Sequence, residues 1–312
     1  MSSDLFRAGF LGLIGQPNAG KSSLLNFLME EKVSIVTAKP QTTRRRVHGL
    51  WNCPEGQIVF VDAPGVVQAE KGLNGFLAQE AQDVIRQSDA LLALVSLDEK
   101  SPEEAKKVLQ MVSESQKPWM AIVTKTDLQD KLHRSVILQQ MVDLVVEASP
   151  NKKFFMGTKT ISIKDTDKDT RSALLKTFLQ MLPLSPAPLY DTEWLTLANT
   201  KDVVAEMVRE KCFEFLHQEV PYSLAVRILK YDESSKKIPH IYCEIIVSRE
   251  SHKGIVIGQQ GQILKKIGEE ARTEIEKFLQ EKVYLGLQVT YSKDWFENTR
   301  VMKELGYVTN NS

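Results

Sequence analysis

The chain has no net charge: 40 basic side chains stand against 40 acidic ones in 312 residues. Nothing global marks a binder of nucleic acid or of anionic membranes, so any such surface must be local. Cysteine is scarce. Cys53, Cys212 and Cys243 are far apart, odd in number and without metal-ligand spacing. They argue against a disulfide scaffold and fit reduced thiols in a reducing compartment. Long apolar runs are missing as well. The stretch 10–14 runs straight into a turn and "ALLALVSL" is equally short, too short for a signal-peptide core or a membrane span. The five histidines are scattered, and neither a repeat nor a low-complexity tail is found.

What is present suffices for real cores. Apolar residues make up 42% and charged ones 26%, and the length favours two domains. Up to residue 182, the apolar runs "GFLGLIG", "QIVFVDAPG", "DALLALVSLD" and "PWMAIVTKTD" alternate with amphipathic helical patterns. That alternation predicts a mostly parallel sheet with helices on both faces. "MLPLSPAPLY" then brings three prolines within six positions, which predicts a stiff linker over 183–192. Beyond it lie a helical stretch, three strand-like runs and a helix between the last two, a small α+β domain over 193–312.

Gly15-Gln16-Pro17-Asn18-Ala19-Gly20-Lys21-Ser22 fills the eight-residue phosphate-loop pattern, after a strand and before the helical "SSLLNFLM" that Ser23 helps to open. Glycines let backbone N–H groups approach phosphate, and the helix N-terminus adds a positive dipole end. Lys21 supplies a point charge for the β- and γ-phosphates, and the Ser22 hydroxyl a ligand for Mg²⁺. Asp62-Ala63-Pro64-Gly65, followed by Val66, closes an apolar strand. There Asp62 is placed for Mg²⁺ and the Gly65 N–H for the γ-phosphate. Between the two motifs, "QTTRRR" offers Thr43, or Thr42 beside it, as a further metal ligand in a switch loop. "TKTD" ends another strand: Asp127 suits the paired donors of guanine, and Lys125 can cover the base plane. The four stretches predict a site for GTP and GDP with Mg²⁺, in which Lys21, Thr43, Gly65 and Asn18 carry catalysis. Val66 and Val67 follow the glycine where a water-positioning glutamine would stand, which predicts slow unassisted hydrolysis, with Gln68 close by.

A second glycine loop, Gly258-Gln259-Gln260-Gly261, has no lysine or hydroxyl inside it. Set between an apolar strand, "GIVI", and a helix, it predicts a clamp for a single-stranded RNA backbone, which needs glycines and no catalytic lysine. From 251 to 268 there are Lys253, Lys265 and Lys266 and no acidic side chain. A structural turn beside solvated lysines is the alternative, and the second domain would then bind a protein or membrane instead of RNA. Trp295 and Phe296 read as core rather than as membrane anchors.

The order GxPNxGKS, TTR, DxPG and TKxD resembles translation-factor-class GTPases and, within them, the Era family. "GIVIGQQGQILKKIG", "REKCFEFLHQEVPYS" and "KDWFENTRVMKELGY" extend the likeness over nearly the whole chain. The resemblance implies an α/β P-loop GTPase domain over 1–182 and a KH domain of the second type at the C-terminal end. It implies binding to the 3′ end of small-subunit 16S ribosomal RNA, help in assembling the small ribosomal subunit, and a cytoplasmic monomer with some association at the inner membrane surface. Asn18 occupies the position that, in related GTPases, ligates K⁺ in place of an arginine finger. Two departures stand out. Position 124 is Thr where the family has Asn, which predicts that contacts to the base and to the phosphate loop are shortened or lost. The element backing guanine is indistinct, with "ISI" around Ser162 and "GTK" around Thr158 both available.

Overall fold

Short runs of β-branched and leucine side chains can bury both faces only between layers of helix. In the computed structural model of the chain they do so as β1 (Arg7–Gly15), β3 (Gly56–Asp62), β4 (Ala90–Ser96) and β5 (Trp119–Thr124). The structure describes residues 6–37, 39, 42–66, 71–97, 102–127, 136, 140, 143–144, 146–147, 149, 152–164, 167–233 and 238–307. The sheet has six strands in the order β2-β3-β1-β4-β5-β6. Only β2 (Val47–Cys53) runs antiparallel to its neighbour, and β6 (Phe155–Thr160) closes the other edge. One apolar layer packs under α1 (Lys21–Met29) and α4 (Lys168–Gln180), around Leu25, Phe60, Leu92 and Phe178. The opposite layer, around Ile14, Val95, Val108 and Trp119, is covered by α2 (Gly72–Gln87) and α3 (Pro102–Ser113). Parallel strands place their carboxyl ends on one side, which is where an open α/β sheet binds ligands.

Two compact units divide the chain, one of 6–66 with 77–197 and the other of 71–76 with 198–307. The proline-rich stretch is tied along the first unit. Buried Gln57 accepts from the N–H groups of Leu189 and Tyr190 at 2.8 and 3.0 Å, and its amide donates to the Tyr190 carbonyl at 2.9 Å. The Leu50 N–H donates to the Leu195 carbonyl at 2.9 Å.

The second unit contains α5 (Thr200–Phe215) and a three-stranded sheet of β7 (Leu224–Asp232), β8 (His240–Val247) and β9 (Tyr284–Tyr291). β7 and β8 are antiparallel, β8 and β9 parallel. α6 (Glu250–Ile257) and α7 (Gln262–Leu279) lie between β8 and β9, and α8 (Thr299–Glu304) closes the described chain. Here the structure corrects the sequence. The run "GIVI" forms the end of a helix, not a strand. His252 and Val256, one helical turn apart, are buried, while Ile255 between them is exposed, so burial follows a helical period. Trp295 is fully buried and its indole N–H donates to the Ser223 carbonyl at 2.8 Å, a core role. Leu73 N–H bonds the Phe296 carbonyl at 2.9 Å within this unit, and Phe76 packs on Tyr307 with ring centroids 5.7 Å apart.

The thiols are free. Cys212 and Cys243 are buried, and burial pushes each up to about 12, so both are inert core side chains.

Candidate functional site

The phosphate loop joins β1 to α1 through two left-handed residues, Asn18 (φ 66°) and Gly20 (φ 85°). Asparagine tolerates that region and glycine occupies it without strain. A Cβ on Gly15 would lie 2.7 Å from the Leu94 carbonyl oxygen, and one on Gly65 would lie 2.7 Å from the Pro17 nitrogen. Both glycines are therefore demanded by close backbone approach. Gly65 brings the "DAPG" segment directly against the phosphate loop, and the Val66 N–H donates to the Gly15 carbonyl at 3.0 Å.

Lys21 is buried and folds back so that Nζ donates to the carbonyls of Gly15 and Gln16, at 3.0 and 2.8 Å. Desolvation lowers its pKa to about 8, against the opposing pull of Asp62. The Asp62 carboxyl is shifted the other way. Burial raises it, while Lys21 and hydroxyls from Ser22, Ser34 and Thr43 oppose the rise. Asp62 Oδ2 accepts from Ser22 Oγ at 2.5 Å and Ser34 Oγ at 3.1 Å, with Thr43 Oγ1 at 3.5 Å. Ser22 Oγ and Thr43 Oγ1 lie 2.8 Å apart. The other carboxylate oxygen, Oδ1, is buried without a hydrogen-bond partner. An unpaired buried oxygen is costly. Two hydroxyls and a carboxylate converging on one point fit the oxygen-ligand preference of Mg²⁺. Thr43 rather than Thr42 makes this convergence, although Thr42 also lines the cavity.

A cavity of about 470 Å³ runs from these groups to the end of β5. Pro17, Asn18, Gly20, Lys21, Ser22, Ser23, Thr43 and Gly65 line one end, and Thr124, Lys125 and Asp127 the other. Gly15, Gln16 and Ala19 are not in its lining. The Gln16 amide points away, donating to the Glu104 carbonyl at 2.9 Å. Ala63, Pro64 and Val66 do not line it. Val67 and Gln68 lie outside the described residues.

Two features correct the sequence expectations. Thr124 keeps a contact to the phosphate loop: its Oγ1 donates to the Ala19 carbonyl at 2.8 Å, with the Val95 carbonyl at 3.3 Å. A short side chain suffices because the Ala19 carbonyl reaches the end of β5. Of the two candidate stretches, "ISI" is the one that reaches Asp127. Ser162 Oγ donates to Asp127 Oδ1 at 3.2 Å, and Lys164 Nζ lies 3.3 Å from Oδ2. Desolvation pushes the Asp127 carboxyl upward, but its own backbone N–H, Lys164 and Ser162 outweigh this and hold it below the usual range. Asp127 is thus a fixed anion. Ser34 and Lys164 complete the site and were not identifiable as members in advance, whereas Ser162 and Ile163 belong to the "ISI" stretch that was one of two candidates. A serine in a loop carries no signal until a partner is known.

In the second unit, α6 ends at Gly258 (φ 73°), Gln260 is left-handed (φ 52°), and Gly261 (φ 77°) opens α7. A Cβ on Gly258 would lie 2.7 Å from Ile263 Cγ1, whereas one on Gly261 would meet nothing within 4 Å. The first glycine packs, and the second leaves an open approach to the start of α7. A groove of about 360 Å³ adjoins it, lined by Leu264, Lys265 and Arg272 of α7 and by Leu285 and Leu287 of β9. Lys266 is not in it. Its ammonium sits 4.5 Å from the Phe215 ring centroid. Lys253 on α6, with Gln259 and Gln260 in the loop, also lies outside the groove lining. Arg272 lines it seven residues beyond Lys265, two turns along one helix face, and so does Glu269, 3.9 Å from Lys265.

Residues 10–125 match the family model described as a 50S ribosome-binding GTPase, and 219–296 match the KH domain. The GTPase Era of Geotalea uraniireducens is 37% identical over 307 residues, which is 98% of this chain and all of that one. The chain belongs to the Era family of GTPases. GTPase Era of Clostridium beijerinckii is 34% identical over 98% of this chain and 99% of that protein. Two solved structures, each 32% identical, cover 97% of this chain and are covered completely by it. An Aquifex aeolicus Era variant bound to GDP·AlF4⁻ superposes with a TM-score of 0.86. Era in complex with MgGDPNP and nucleotides 1506–1542 of 16S ribosomal RNA superposes with 0.89. The two Era elements, a P-loop GTPase domain and a KH domain, are thus both present here. Among the described residues no helix is long and apolar enough to cross a membrane.

Proposed function

We propose that this Era-family GTPase binds GTP with Mg²⁺, hydrolyses it slowly, and binds the 3′ end of small-subunit ribosomal RNA through its KH domain during assembly of the small subunit. The observation that carries the nucleotide half is one cavity with Lys21, Ser22 and Thr43 at one end, where Ser22 donates to Asp62, and Asp127 at the other. Ser22, Thr43 and Asp62 are the residues that would hold Mg²⁺, which supplies positive charge to the phosphate oxygens when bound. Lys21 neutralises phosphate charge, and loop N–H groups between Asn18 and Ser22 cradle it. The Gly65 N–H registers the γ-phosphate, and Thr43 draws the switch loop inward. With no water-positioning glutamine after Gly65, acceleration rests on orientation and charge.

Asp127 fixes the base. Its carboxylate accepts from two guanine donors, and adenine has no such pair. Asp127→Asn turns an acceptor into a donor, so preference is expected to move from GTP to XTP, whose carbonyl accepts. A variant that still prefers GTP in competition would overturn this assignment.

For the RNA half, the open Gly261, the helix start behind it and a groove holding Lys265 and Arg272 supply the backbone clamp and base pocket of a KH module. The solved relative's RNA identifies the ligand class. A cytoplasmic place of action follows from a ribosomal target, and attachment to the inner membrane remains a family expectation. Salt-dependent RNA binding that is lost in Gly258→Asp with Gly261→Asp separates this reading from a protein- or membrane-binding second domain.

A further inference from the structure

One face of the second unit's sheet packs on the core with α5 and α7, while the other is buried at the end holding Ala225, Glu244 and Ile246 and open at the end holding Tyr242 and Tyr284. Along β8 and β9 side chains alternate. Ile241, Cys243, Ile245 and Val289 join the core, while His240, Tyr242 and Tyr284 fall on the other face. These three rings meet. Tyr242 and Tyr284 have centroids 5.7 Å apart, His240 and Tyr284 5.1 Å, and His240 and Tyr242 6.4 Å. They are not buried by doing so: Tyr242 is 36% exposed and Tyr284 46%.

Gly286 explains how the rings approach. It pairs in register with Tyr242, and a Cβ there would lie 2.9 Å from Tyr242 Cδ1 and 3.3 Å from Tyr284 Cε1. Its φ is not in the left-handed region, so the backbone does not require glycine at this position. The rings do. At this end of the face the adjacent cation, Lys230, is matched by Asp232 at 2.6 Å. At the other end Arg227 is matched by Glu244 and Glu304. The patch is therefore aromatic, its rings tilted 42–63° to one another, and among the described residues its flanking cations are ion-paired, which suits a base better than a phosphate.

We propose that Tyr242 and Tyr284, with His240, form a stacking platform for unpaired nucleobases of the RNA whose backbone is held at the second glycine loop. This rests on the RNA-binding function of the KH domain given above. Continuity favours RNA as the occupant. β9 is an edge strand, its Leu285 and Leu287 line the groove, and the preceding Tyr284 faces the platform. An RNA strand leaving the groove over that edge arrives on the rings. The groove supplies phosphate contacts through Lys265 and Arg272, and the platform supplies stacking.

The test uses the full chain loaded with a non-hydrolysable GTP analogue, and fluorescent RNA of nucleotides 1506–1542 of 16S ribosomal RNA, at one salt concentration. Tyr242→Ala with Tyr284→Ala is expected to weaken binding roughly tenfold or more, the size of losing one stacked base. Tyr242→Phe with Tyr284→Phe keeps both rings and is expected to bind like the parent. Unchanged affinity in the double alanine variant overturns the platform, as does an equal loss in the phenylalanine pair. If the alanine pair does not fold, ultraviolet crosslinking of the parent protein decides: adducts on Tyr242 or Tyr284 support the platform, and adducts confined to the groove refute it. Gly258→Asp with Gly261→Asp serves as the separate arm. RNA binding that survives it sinks the KH reading itself, whereas loss there with no effect of the tyrosines sinks only the platform.

Discussion

Lys21 and Asp62 are buried together, and each opposes the other's shift. Burial takes Lys21 down to about 8, and phosphates beside it favour its charged form. Below pH 8 the lysine already carries its proton, and nucleotide binding takes up none. Above pH 8, as far as the higher pKa of the bound state, binding must restore that proton. Affinity for GDP is therefore expected to be flat up to about pH 8 and then to fall, by up to about tenfold per pH unit. Calorimetry in two buffers of different ionisation heat would register proton uptake at about pH 9. Affinity independent of pH from about 7 to 9 would contradict a lowered Lys21. Asn18 presents a second test at this scale. Its left-handed φ gives it a loop-forming role, yet it also lines the cavity beside Lys21. If it ligates K⁺ there, hydrolysis is expected to run faster in K⁺ than in Na⁺ at equal ionic strength, and Asn18→Ala to erase the difference. Equal rates in both salts leave it a loop former. Among single residues, those in contiguous motifs were legible, because a phosphate loop needs glycine, lysine and hydroxyl at fixed spacing. Ser34 and Lys164 were not, since their roles exist only through Asp62 and Asp127, far away in the chain, and Ser162 was legible only as one of two candidates.

At the scale of elements, the two glycine loops solve one problem, bringing backbone close to phosphate, with different demands on each glycine. Gly258 is left-handed and packed on Ile263, whereas Gly261 is left-handed and open. Alanine at Gly261 should cost about 1 kcal/mol of backbone strain. At Gly258 it should cost about 1–3 kcal/mol more, because the methyl overpacks Ile263. Urea unfolding followed by hydrogen exchange of α7 amides would resolve the two. Equal losses would mean that the loop relaxes around Ile263. Periodicity revealed β1, β3, β4 and β5 because strands buried on both faces are continuously apolar. It did not reveal β2 or β6, edge strands whose sequences "VHGLWNC" and "FMGTKT" mix polar and apolar residues. Nor did it separate α6 from a strand, because "GIVI" is too short for either period to dominate. The linker prolines marked a non-helical stretch, but the amide of Gln57 that ties it down is a long-range partner and leaves no local trace.

In the whole molecule a nucleotide switch and an RNA clamp share one chain, and coupling between them has a thermodynamic signature. The "DAPG" segment leads along the chain into α2, whose first turn is part of the second unit. A γ-phosphate engaged by Gly65 and Thr43 is therefore expected to bias RNA binding by the second unit. Linkage makes the effect reciprocal: a nucleotide that raises RNA affinity is itself bound more tightly when RNA is present. The most direct measurement is the Kd for RNA of nucleotides 1506–1542 of 16S ribosomal RNA, taken with a non-hydrolysable GTP analogue and with GDP at one fixed salt concentration. Tighter binding with the GTP analogue, by about 5- to 150-fold, is the expected result for coupling of ordinary size. Equal affinity in the two nucleotide states would contradict the switch and leave two independent binding modules on one chain.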